Sequence, residues 1–191
     1  MKETPSNYNR IGMTLGQIGR YPAAIEAFRK ALELKPDFAP AHHNLGLAYA
    51  NLDRLEDAAD AYRAALGADP RNVASYCGLG HVLARLDRHA EALDVLARGR
   101  LRVPASHEIA YGYGVACENL MRWEEAAECY RRSVELNPFL PEPYLALARL
   151  SLYVHGRPDE AVAALSAAAE LDPANPEVRR ALDDALALLV R

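Results

Sequence analysis

Residues 39–72 read APAHHNLGLAYANLDRLEDAADAYRAALGADPRN, and two helical stripes run through them. Leu45, Tyr49 and Leu52 recur at helical spacing in the first half, and Leu55, Ala58, Ala59, Tyr62 and Leu66 do so in the second. Between them, residues 51–54 are a short polar connector of the kind that joins two antiparallel helices. Glu56 and Asp57 open the second stripe, where carboxylates oppose the positive end of a helix dipole. Pro70 closes it, because proline has no N–H to continue a helix and its ring clashes with the turn before it. The stretch is a helix pair.

The pair recurs. Pro36, Pro70, Pro104, Pro138 and Pro173 stand 34, 34, 34 and 35 residues apart. Gly12, Gly46, Gly80 and Gly114 make a second column, which Ala148 completes. Ala24, Ala58, Ala92, Ala126 and Ala161 make a third, and Arg20, Arg54, Arg88, Arg122 and Arg157 a fourth. Independent columns at one period identify a repeat array of helix pairs. A glycine inside a helix costs roughly 1 kcal/mol against alanine. Its recurrence therefore predicts a close contact, expected where the backbones meet at Gly46 and Ala58.

Residues 175–191 add one more amphipathic helix, with Pro176 in its first turn and Val178, Leu182, Ala185, Leu186 and Leu189 along one face. Its expected role is to cap the last pair. Composition agrees with helix throughout: Ala and Leu dominate, and Phe and Trp number only three and one. The net charge of −4 supplies no field that would gather nucleic acid, so no nucleic-acid partner is expected. Cys77, Cys117 and Cys129 lack paired spacing and read as thiols of a reducing compartment. No apolar run is long enough to span a bilayer, and the first ten residues carry no signal-type apolar stretch, so a cytoplasmic location without membrane insertion is expected.

These residues resemble the tetratricopeptide repeat family, whose 34-residue pattern sets an aromatic, Leu-Gly, Tyr, Ala, an aromatic and Pro in order. The second unit carries Leu45, Gly46, Tyr49, Ala58, Tyr62, Ala65 and Pro70; the first carries Tyr8, Gly12, Ala24, Phe28 and Pro36. The fifth departs most, with Ala148 for glycine, Ser151 for tyrosine and one extra residue in VHGRP. The resemblance implies an all-α solenoid of five repeats, near 5–38, 39–72, 73–106, 107–140 and 141–174, followed by the capping helix in one domain over 1–191.

It also implies a groove lined by the first helices, which takes a peptide or partner helix. Carried across unit by unit, the groove positions are Asn9, Met13 and Gln17, then His43, Asn44, Leu47 and Asn51, then Cys77, Gly78, His81 and Arg85. In the fourth and fifth units they are Tyr111, Gly112, Val115, Asn119, Glu142, Leu145, Arg149 and Tyr153. Gly78 and Gly112 are expected to leave room for a bulky ligand side chain. The basic clamp of co-chaperone members is incomplete, since Asn44 fits one position but Asn9, Ala74 and Gly78 stand at the basic ones. The asparagine ladder of the repeats preceding O-linked sugar transferases is absent as well.

His43, Cys77 and His81 could approach one another as metal ligands, but a fourth ligand is missing, so no metal and no cofactor is expected. No phosphate loop, nucleophile elbow or HExxH motif occurs. The function expected is that of a non-catalytic adaptor that binds a protein or peptide. The alternatives are a scaffold that self-associates through the terminal helix and a regulatory module of a larger enzyme.

Overall fold

The computed structural model describes residues 3–189, and among these the chain forms eleven helices and no strand. The fold is all-α and of the solenoid class. Five pairs are α1 (Pro5–Gln17) with α2 (Tyr21–Leu34), α3 (Ala39–Asn51) with α4 (Leu55–Ala68), α5 (Val73–Arg85) with α6 (His89–Arg102), α7 (His107–Asn119) with α8 (Trp123–Leu136), and α9 (Pro141–Tyr153) with α10 (Pro158–Leu171). The last helix is α11 (Pro176–Leu189). The chain divides into two compact units, one up to Pro104 and one from Ala105.

In the first unit α2 packs on α3 and α4 on α5, and α1, α3 and α5 are neighbours. In the second unit α8 packs on α9, and α10 on α11. Alanines recur among the buried residues of the second helices. Ala24, Ala58, Ala126 and Ala161 are wholly buried, which lets helices approach closely without loss of helix propensity.

The glycine column acts differently from the expected backbone contact at Gly46 and Ala58. A Cβ at Gly46 would lie 2.9 Å from the Tyr62 ring, at Gly12 it would lie 2.4 Å from Phe28, and at Gly114 it would lie 2.6 Å from Tyr130. At Gly80 the neighbour is Leu96, at 2.8 Å. Each glycine is thus a socket for the large side chain of its own pair's second helix. Ala148 keeps a Cβ, and the facing residue there is Leu165, packed in one buried cluster with Ala161 and Ala185.

The arginine column stands at the N-caps of the second helices. Arg54 donates to Asp57 at 2.7 Å, Arg88 to both oxygens of Glu91 at 2.6 Å, Arg122 to Glu125 at 2.6–2.7 Å and Arg157 to Glu160 at 2.9 Å. These pairs are exposed, so solvent screening leaves them little weight in stability, and they serve mainly to orient the first turn. Arg20 has Ala23 where the others have a carboxylate. One step earlier, the connecting turns require a left-handed residue: Gly19, Asp53, Asp87, Met121 and Gly156 all have positive φ. Asp tolerates that region; Met121, at φ 57°, is strained there.

Asn175 caps α11 by accepting from the N–H groups of Glu177 and Val178. Val178 and Ala185 are buried against the last pair, as a cap requires, while Leu186 and Leu189 of the same stripe stay exposed. No helix among the described residues is long and apolar enough to cross a membrane.

Candidate functional site

Where α1 and α3 of the first unit meet, the side chains around the cleft are uncharged. On α3, Asn44 donates from Nδ2 to Asn9 Oδ1 of α1 at 2.9 Å, and Asn9 Nδ2 turns to Met13 Sδ at 3.6 Å. Asn51 donates to the Leu47 carbonyl at 2.8 Å and accepts from the Tyr21 hydroxyl at 3.2 Å. Met13 and Leu47 are about half exposed.

Between them lies a half-open cleft of about 260 Å³. Its walls are Gly12, Met13, Gly16 and Gln17 of α1, Tyr21 and Phe28 of α2, and Asn44, Leu47, Ala48 and Asn51 of α3. Met13, Gln17, Asn44, Leu47 and Asn51 are five of the groove positions carried over from the family pattern, and they converge on this one cleft. Gly12, Gly16, Tyr21, Phe28 and Ala48 are not among those positions. Gly16 was legible only as a small residue in a column that continues with Ala50 and Ala84.

Farther along this unit, His43 Nδ1 lies 3.0 Å from the Ser75 hydroxyl, and its ring stands 5.5 Å from that of Tyr62. Burial lowers the His43 pKa and pushes the Tyr62 phenol up to about 12. Tyr62 also fills the space at Gly78, where a Cβ would come 2.6 Å from its ring. Gly78 therefore does not leave room for a ligand, contrary to expectation, because the ring from the preceding pair already occupies it. Cys77 is half-buried and His81 exposed. Arg85 reaches out to Asp53 at 2.6 Å, at the turn between α3 and α4. Among the described residues, no group of three His, Cys, Asp or Glu side chains is placed to hold a metal ion.

The second unit carries charge at the corresponding face. Arg149 of α9 donates from Nη2 to both oxygens of Glu118 of α7, at 2.7 and 2.8 Å. The buried Tyr130 hydroxyl donates to Glu118 at 2.7 Å. Burial, then the hydrogen bond and charge of Glu118, hold the Tyr130 phenol far above its ordinary range. Tyr111 stacks 5.5 Å from Tyr130, and burial raises its phenol too. Val115 is half-buried beside them in sequence, and Asn119 is exposed at the end of α7. Glu118 was not among the carried-over positions, although a carboxylate in a column that elsewhere holds Gly16, Ala50, Ala84 and Leu152 was a visible signal.

Three family models match the chain: a TPR repeat over residues 14–53, and tetratricopeptide repeats over 39–72 and 77–141. No curated protein matches it in sequence. Among solved structures, TTC0263, a thermophilic TPR protein in Thermus thermophilus, is 26% identical, with 96% of this chain and 99% of that one covered at a TM-score of 0.75. The pilF protein of Pseudomonas aeruginosa is 23% identical, covering 95% and 88% at a TM-score of 0.80. YrrB, a TPR protein with an unusual peptide-binding site, is 23% identical, covering 91% and 89% at 0.68. The last two likenesses show the fold alone. With its glycine sockets, its proline-closed pairs and repeat models matching on both sides of Pro104, the chain belongs to the tetratricopeptide repeat family.

Proposed function

We propose that the chain is a non-catalytic cytoplasmic adaptor that holds a segment of a partner protein against α1 and α3 of its first unit. The observation that carries this reading is the cleft, where Met13 and Leu47 are half exposed around a space that no side chain among the described residues fills. Exposed apolar residues around a concavity are the usual mark of a binding surface. The amides of Gln17, Asn44 and Asn51 beside it donate and accept, as a peptide backbone requires. His43, Cys77 and His81 continue the surface toward α5. In the second unit, Tyr111, Val115, Asn119 and Arg149 offer a charged counterpart.

The test is selection of a phage-displayed random dodecapeptide library on the full chain, followed by binding of the selected peptides to Leu47→Glu. Leu47 is 50% exposed, so this variant should melt with the wild type and lose the peptides. Failure to enrich any peptide, or equal binding by the variant, would sink the reading. A second reading, self-association, is favoured by the exposed Leu186, Leu188 and Leu189 of α11. Light scattering across a dilution series separates the two, because an adaptor stays monomeric.

A further inference from the structure

The cleft contains a glycine against which no described side chain packs. Gly12 receives the Phe28 ring, but a Cβ at Gly16, one turn later on the same helix, would meet nothing within 4 Å. A helical glycine weakens its helix relative to alanine, and at Gly16 no packing offsets that loss. What the missing side chain leaves is the open floor of the cleft.

The size and chemistry of that space select an occupant. About 260 Å³ exceeds the roughly 150 Å³ of an apolar cavity known to take benzene, and falls short of the range of about 300–1,000 Å³ that holds drug-sized ligands. One large side chain fits within it. No Asp, Glu, Lys, Arg or His lines the walls, so a charged side chain entering would lose its hydration and gain no counter-ion. At the rim, Asn44 uses only Nδ2 for Asn9, which leaves its Oδ1 as an acceptor, and the exposed Gln17 amide offers both a donor and acceptors. An apolar floor with an amide donor and acceptor at its edge complements one uncharged side chain and the peptide groups beside it.

We propose that the cleft is a specificity pocket for a single large uncharged side chain, of the size of Leu, Met, Phe or Trp, in the partner segment. The flanking peptide groups bond to Asn44 and Gln17. This rests on the protein-binding reading above and adds what the partner must carry.

The experiment takes the selected peptides and the full chain. At Gly16→Leu the added Cβ meets nothing within 4 Å, the rest of the side chain enters the cleft, and leucine is the better helix former, so the melting temperature should equal or exceed that of the wild type. Binding should weaken about tenfold or more, the effect of one large apolar side chain left outside its pocket. Gly16→Ala, which fills less of the space, should lie between. Within the peptides, one position should accept Leu, Met, Phe or Trp and lose about tenfold or more on change to Asp or Lys. Peptides that bind wild type and Gly16→Leu equally would overturn the pocket while leaving the adaptor reading intact. An anchor position indifferent to charge would overturn it too. A chain that sediments as a dimer and becomes monomeric with Gly16→Leu has a second copy in the cleft, which overturns the partner assignment. If no peptide is enriched at all, the adaptor reading falls first and the pocket with it.

Discussion

Gly16, Phe28 and Leu47 of the first unit occupy the repeat positions that Glu118, Tyr130 and Arg149 occupy in the second. The two sets sit on equivalent helices, and each ring enters an equivalent glycine socket, at Gly12 or Gly114. In the first unit the three residues are apolar or absent, and they surround an empty cleft. In the second they form a chain of hydrogen bonds from a buried phenol through a carboxylate to a guanidinium. The repeat therefore fixes the backbone and the ring, while the residues at the Gly16 and Leu47 positions, and the hydroxyl that the ring does or does not carry, decide whether a junction is open or closed by charge.

The comparison breaks first at the socket. Gly114→Leu must displace the Tyr130 ring, which the 2.7 Å bond to Glu118 holds in place. A loss of about 3 kcal/mol in denaturant unfolding is expected, at the upper end of overpacking costs. Gly80→Leu should cost less, because the neighbour there is the flexible end of Leu96. Equal losses would mean that the ring has another place to go.

Removing the carboxylate is the next largest effect. Glu118→Ala leaves the buried Tyr130 hydroxyl without an acceptor and should cost about 1–3 kcal/mol. Arg149→Ala should cost less than about 1 kcal/mol, since the guanidinium is 56% exposed and water replaces its partner. If the two variants melt together, the phenol contributes nothing and the second junction is held by a surface ion pair alone.

The smallest effect lies in the turns. Met121 adopts a backbone that Gly19 and Gly156 adopt without strain and that Asp53 and Asp87 tolerate. Met121→Gly should stabilise the chain by about 1 kcal/mol, seen as a rise of roughly 2–4 °C in melting temperature for a chain of this size. No rise would place the strain outside the folding equilibrium.

How much of this the sequence carried depends on whether a feature repeats. The helix pairs, their boundaries and the arginine and carboxylate columns were legible, because each is one residue type at one period. The purpose of the glycines was not. A column of small residues states only that space is short, and Gly46 could face Ala58 or Tyr62 equally well on the page. Gly78 misled for a related reason: the ring that fills it comes from the preceding pair, where no spacing along its own helix points. The cleft was half legible. Met13, Asn44 and Leu47 follow from the family pattern, whereas Gly16 hides among Ala50 and Ala84, and its emptiness exists only in three dimensions. Glu118 stood in plain view in that column, and its meaning needed Tyr130 and Arg149 beside it.

The socket has a consequence for how the chain comes into being. Each ring finds its glycine within the same helix pair, so the contact closes a short loop and needs no residue from farther along the chain. A pair leaving the ribosome can bring ring and glycine together as soon as its second helix is clear, before the next has been synthesised. Assembly can then begin from local closures, one pair after another, with neighbouring pairs supplying the burial that a single pair lacks.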